Sequence, residues 1–231
     1  MKRKFLTATL CIVAGLIILW TASIIYAALT ITASSDTDWT AVAEGAVGES
    51  ANLDISLSYS TTYQIQAFLN GTDAHEGTEF LIQTSFNTSG DEDWSDYCRF
   101  IELVGTANSE QIDDDPLDAT DTTILCADTT GYTVDATSMR WVGIEDATLA
   151  NSELVLQTGL TTNTNITIKD GVTNAHVLHT LMWNIAFSKS ITIPMGVGIR
   201  ARVVVNNNYD ADGTASALNY RVRKVLTSVI Q

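Results

Sequence analysis

Period-two alternation of apolar and polar residues is the feature that most constrains this chain. Leu53, Ile55 and Leu57 alternate with Asp54 and Ser56, and Tyr63, Ile65, Ala67 and Leu69 alternate with Gln64 and Gln66. Successive side chains on a strand point to opposite faces, so such runs build sheets with one apolar face. Further runs cover Phe80 to Thr84, Tyr97 to Val104, Thr122 to Cys126, Met139 to Ile144, Glu153 to Gln157 and Asn165 to Ile168. The last third adds Leu181 to Phe187, Ser190 to Ile193, Gly198 to Val205 and Leu218 to Leu226. Asn70-Gly71, Ser89-Gly90, Thr130-Gly131 and Asp170-Gly171 are turn signals between them. No segment past Leu29 carries a helical period. The pattern predicts an all-β protein, a β-sandwich or jelly-roll-like fold of about 10–12 strands, preceded by an N-terminal hydrophobic helix.

The length of 231 residues suits one large all-β domain, and 45% hydrophobic residues suffice for a packed core. Residues 1–29 read as a signal peptide or transmembrane anchor, 30–52 as a spacer or first strand, and 53–231 as the β-sandwich domain. Within that domain, short evenly spaced strands over about residues 120–180 suggest a small inserted β module.

Lys2, Arg3 and Lys4 precede an uncharged stretch from Phe5 to Leu29. Positive charges before an apolar run mark an export signal. The stretch is long enough to span a bilayer, and Ile25-Tyr26-Ala27 offers a cleavage site. The segment is therefore either a cleaved signal or a membrane tether through residues 5–29. Either route places the remainder outside the cytoplasm, at a cell surface or in the medium.

Charge is unevenly spread. From Thr30 to Met139 there are twenty-one Asp and Glu against one base, Arg99; from Arg140 to Gln231 there are six acids against eight bases. The net charge of -15 excludes a general nucleic-acid binder, because a phosphate backbone requires a basic footprint. An acidic half and a basic half on one body can attract each other between copies, so the expected partner is a second copy of the chain.

The C-terminal strands concentrate the bases. If the Asn206 to Gly213 connection turns between Ala211 and Asp212, Arg202 opposes Arg221 and Arg200 opposes Arg223. All four then share one face of a hairpin. They form either an interaction patch for a neighbour's acidic half or a solvated outer face. Trp94 lies among acids and polar residues and is the candidate for stacking on a glycan, against the alternative of buried packing.

Enzyme signatures are missing from the sequence. His75, His176 and His179 are the only histidines, and no metal-binding His-Glu-x-x-His, nucleophile elbow, phosphate loop or dinucleotide fingerprint occurs. Asp210-Ala211-Asp212-Gly213 opens like a calcium loop, but its twelfth position is Arg221 rather than Glu. The acidic runs at Asp91 to Asp96 and Asp113 to Asp115 read as surface loops. No catalytic, cofactor-binding or metal-ligating residue is assigned, and no cofactor is expected. Cys98 and Cys126 are an even pair in an exported chain: either a disulfide worth about 3 kcal/mol or two buried thiols.

Several segments resemble small β-rich, virion-associated structural proteins of tailed phages and prophages. They are Thr84 to Tyr97, Cys126 to Tyr132, Ile144 to Val155, Ile168 to His176 and Val205 to Gly213. The resemblance implies a subunit that decorates a particle or surface by self-assembly, and it carries no functional residues. The apolar N-terminus departs from that pattern and favours a cell-surface relative. The expectation is an exported structural protein that assembles with itself; the alternative is a monomeric carbohydrate-binding or adhesion module.

Overall fold

The computed structural model describes residues 30–32, 38–43, 45–55, 58–71, 74–90, 93–132, 139–207 and 217–229. The N-terminal segment read as signal or anchor lies outside the described residues. Among the described residues eighteen strands follow in order: β1 (Thr30–Thr32), β2 (Thr40–Val42), β3 (Val47–Glu49), β4 (Leu53–Asp54), β5 (Ser58–Asn70), β6 (Ala74–His75), β7 (Thr78–Ser85), β8 (Ser95–Glu102), β9 (Gly105–Thr106), β10 (Ser109–Gln111), β11 (Thr123–Leu125), β12 (Arg140–Glu145), β13 (Glu153–Thr161), β14 (Asn165–Ile168), β15 (Leu181–Trp183), β16 (Ala186–Pro194), β17 (Arg200–Asn206) and β18 (Ala217–Val229). The one helical piece among the described residues is a 3-10 turn at Leu149–Asn151. No helix among them is long and apolar enough to cross a membrane. The strands beyond the predicted 10–12 are pieces of two or three residues, too short to show a period.

Four nested antiparallel pairs define the main body: β7 with β8, β5 with β16, β3 with β17, and β1 with β18. Rolling this ribbon of pairs brings β18 beside β5 and β17 beside β7. Two sheets result, β1-β18-β5-β16 with β2 added to β18, and β3-β17-β7-β8 with β4 added to β17. This is the topology of a jelly roll. Its core lies between the sheets. Tyr63, Ile65 and Ala67 of β5 with Tyr220 and Val222 of β18 meet Phe80, Ile82, Ala201, Val203 and Val205 of the opposite sheet. Phe80 stacks on Phe100 at 5.4 Å and meets Phe187 edge-on at 4.9 Å, which closes the core at the β8 and β16 end.

Between β8 and β16 the chain builds a third sheet, β10-β15-β12-β13-β14-β11. It packs on the other face of the first sheet. Phe68 projects there from β5 and meets Trp39 edge-on at 5.1 Å, with Trp183 of β15 in the same cluster. Gly143 of β12 faces the Phe68 ring so closely that a Cβ would collide with it. The indole N–H of Trp39 donates to the Ser152 carbonyl. Glu145 accepts from Asn70 at 2.6 Å and Asn219 at 3.2 Å on the first sheet, and from the Trp183 indole at 2.7 Å on the third. One carboxylate thus satisfies three donors where the layers meet, each of which would be costly to bury unpaired.

Strand β5 therefore differs from the half-buried strand its alternation suggests. Ile65 to Leu69 are all buried, because the alternates Gln66 and Phe68 face the third sheet rather than water. The far face of that sheet carries a second core. Val142, Ile144, Val155, Ile166 and Met182 pack under Ile112, Leu117 and Tyr132 of the long segment that covers them. The Tyr132 hydroxyl donates to the Met182 carbonyl at 2.7 Å and fixes that cover.

Candidate functional site

Strand β8 ends the second sheet and, among the described residues, pairs with β7 alone. Its outward side chains include Tyr97 and Ile101, and Val104 follows just beyond it; Ile101 is 61% and Val104 62% exposed. Gly77, at φ +124°, lets both sit over its Cα, where a Cβ would lie 2.5 Å from Ile101 Cγ2 and 3.0 Å from Val104 Cγ2. Charges commonly guard an open edge. Here they are paired within the chain: Arg99 with Glu79 at 3.2 Å and Asp96 at 3.8 Å, and Lys189 with Glu102 at 3.1 Å. The result is an eight-residue edge beside an exposed apolar pair.

The four arginines do not form the predicted hairpin patch. β17 and β18 belong to different sheets, so Arg200 and Arg202 never oppose Arg223 and Arg221. The apolar alternation holds; what fails is the expectation that strands adjacent in sequence pair with each other. Arg200 donates to the Asn87 carbonyl at 2.5 Å and the Gly90 carbonyl at 3.0 Å. Arg202 donates to Gln83 at 2.9 Å and Glu49 at 2.8 Å. Both guanidinium groups lie over the Trp94 ring, at 5.0 Å and 4.5 Å from its centre. Trp94 is half-buried, and the ring surface a sugar would stack on holds cations instead.

Arg221 and Arg223 share the face of the first sheet that looks toward the third. Arg221 donates to Gln66 at 2.6 Å and lies 4.6 Å from the centre of the Trp39 ring. With Lys169 from the end of β14, and with Gln64, Gln66 and Trp141, they line a cleft of about 390 Å³ between the two layers.

Cys98 and Cys126 are free thiols. The disulfide reading fails because Cys98 packs against the jelly-roll core while Cys126 lies in the core of the third sheet. Burial first, then the nearby carboxylates of Glu110, Asp113, Asp114 and Asp128, push the Cys126 thiol up to about 11. It is thus a poor nucleophile.

Sequence spacing does not reveal the partners of His176. His176 is fully buried and holds two carboxylates, Asp146 at 3.2 Å from Nδ1 and Glu153 at 2.8 Å from Nε2. Glu153 also accepts the backbone N–H groups of Thr173 at 2.8 Å and Asn174 at 3.1 Å. Burial alone would lower the His176 pKa, but its two carboxylate partners outweigh burial and raise it. Burial would raise the Glu153 pKa, and the hydrogen bonds from His176, Thr173 and Asn174 lower it instead. A general base needs a free ring nitrogen directed at a nucleophile. Both nitrogens here are committed to carboxylates, so the cluster holds structure. His179, three residues on, lies outside it at φ +67°. His75 is buried at the Leu103 carbonyl, 2.9 Å from Nδ1.

Of the acidic runs, Asp93 accepts from Asn87 at 2.9 Å and Asp114 from the Leu125 N–H at 2.8 Å. Asp91, Glu92 and the Asp210 to Gly213 tetrapeptide lie outside the described residues. Among the described residues no group of three or more His, Cys, Asp or Glu is placed to hold a metal.

No protein-family model matches the chain, and no curated protein matches it significantly. Among solved structures it is similar to VP17, a capsid protein of bacteriophage P23-77, at 7% identity and a TM-score of 0.17, over 82% of this chain and 99% of that one. It is similar to the structure of infectious bursal disease virus Gt strain at 8% identity and a TM-score of 0.21, over 87% of this chain and 40% of that one. The VP16–VP17 complex of the two major capsid proteins of bacteriophage P23-77 gives 8% identity and a TM-score of 0.17, over 84% of this chain and 98% of that one. These are loose likenesses to viral structural proteins, and at such TM-scores they fix neither fold nor function.

Proposed function

We propose that this chain is an exported structural subunit that assembles with copies of itself into a filament, lattice or coat on a cell or particle surface. The observation that carries this reading is the β8 edge: eight residues with one strand partner among the described residues, its charges paired within the chain, beside exposed Ile101 and Val104. An edge of that kind offers unpaired backbone groups to another strand, and the apolar pair adds area that favours association. The basic triplet and apolar stretch at the N-terminus support export.

The double variant Ile101→Lys and Val104→Lys tests the reading. Light scattering at matched concentrations should show loss of the larger assemblies, with the melting temperature unchanged because both side chains face solvent. A mass distribution identical to that of the unaltered chain would remove the edge as a contact and the reading with it.

A further inference from the structure

The cleft between the first and third sheets is an unusual place on a chain of net charge -15. It gathers Lys169, Arg221 and Arg223 around Gln64, Gln66 and Trp141. Two carboxylates also line it, Glu153 and Asp170. The Glu153 oxygens already serve His176, Thr173 and Asn174, which leaves Asp170 on the exposed lip.

The segment beside that lip has the opposite character. Between Arg99 and Arg140 the chain has no base. Asp113, Asp115, Asp118 and Asp121 within it are all exposed. None of Asp113, Asp115 and Asp118 joins an ion pair among the described residues. The end of this segment is tied to the cleft. Thr120 N–H donates to the Val172 carbonyl at 2.8 Å, and Val172 N–H to the Asp121 carbonyl at 3.1 Å. Gly171, which lines the cleft, lies so close to the Thr120 backbone that no Cβ would fit. The acidic segment therefore starts on the cover of the third sheet and ends at the lip of the basic cleft.

Adjacent patches of opposite charge are what a two-fold contact requires, since each copy must present both halves of the contact. We propose that a second copy of this chain docks here. The exposed carboxylates of the Asp113 to Asp121 segment of each copy would meet the Lys169, Arg221 and Arg223 cleft of the other. The proposal rests on the self-assembly reading and supplies its second contact. A closed two-fold dimer cannot grow alone, but dimers joined through the β8 edge extend into an open lattice.

A charge exchange in the full chain tests it. One variant carries Lys169→Glu and Arg223→Glu; the other carries Asp113→Lys and Asp118→Lys. Each variant alone meets like charge at both contacts, so its dimer should dissociate at concentrations about tenfold or more higher. An equimolar mixture restores both contacts and should regain the unaltered affinity. If either pair lowers the melting temperature, Lys169→Glu and Asp118→Lys alone replace them, as both side chains are exposed. Variants that associate as tightly as the unaltered chain, or a mixture that stays dissociated, overturn the docking while leaving self-assembly standing. An unaltered chain that is monomeric overturns self-assembly itself.

Discussion

Glu153 Oε1 lies 2.8 Å from His176 Nε2 in a site closed to solvent, with Asp146 on the other ring nitrogen. Glu153 begins β13, Asp146 follows β12, and His176 lies on the long connection toward β15, bridged to Leu117. One imidazole thus joins a hairpin of the third sheet to its covering segment.

That cluster predicts a pH profile for stability. The His176 pKa is raised in the folded chain, so its contribution is complete below the ordinary histidine value of 6.5 and is lost as pH rises through the raised value. The Glu153 pKa is lowered, so its contribution is present above the ordinary glutamate range and is lost as pH falls through the lowered value. Melting temperature should therefore peak in mild acid and decline on the alkaline side. His176→Gln keeps one N–H for Glu153 but no charge. It should cost about 3 kcal/mol at the peak and flatten the alkaline decline. An unchanged slope in melting curves recorded across pH would remove the charged histidine from the account.

Gly143 faces Phe68 across the junction of the first and third sheets, and a single methyl there meets the ring. Gly143→Ala should cost about 1–3 kcal/mol, because Phe68 is fully buried and has no room to yield. Chemical denaturation measures this. Wild-type stability in that variant would mean that the sheets do not pack as described.

Cys98 and Cys126 should both be alkylated when the chain is unfolded without reductant, since neither is in a disulfide. In the folded chain Cys126 should resist alkylation, being buried with its thiol pushed up to about 11. Mass mapping of the two peptides decides the matter; a linked peptide pair would contradict the separation of the two cores.

Much of the strand content was legible because β5, β7, β12, β14, β17 and β18 carry apolar alternation or apolar runs between turn residues. What alternation hides is the partner of each face. Gln64, Gln66 and Asn219 look like solvent-facing residues, yet they face another protein layer, with Gln66 and Asn219 buried there. The sheet assignment of Arg200 and Arg223 was illegible for the same reason. Adjacent strands in sequence suggest a hairpin, whereas a rolled ribbon sends β17 and β18 to opposite sheets. The 390 Å³ cleft depends on that rolling, so Lys169 could not be joined to Arg221 from spacing alone. His176 was hidden more deeply. Its partners stand twenty-three and thirty positions away, and no local pattern marks a buried imidazole.

Light scattering of the full chain across concentration, at low and at high salt, bears most directly on whether the molecule is built to associate. A mass above 25.0 kDa at low salt, growing with concentration and falling as salt screens the acidic segment from the basic cleft, is the predicted result. A constant 25.0 kDa at low salt and every concentration would contradict it.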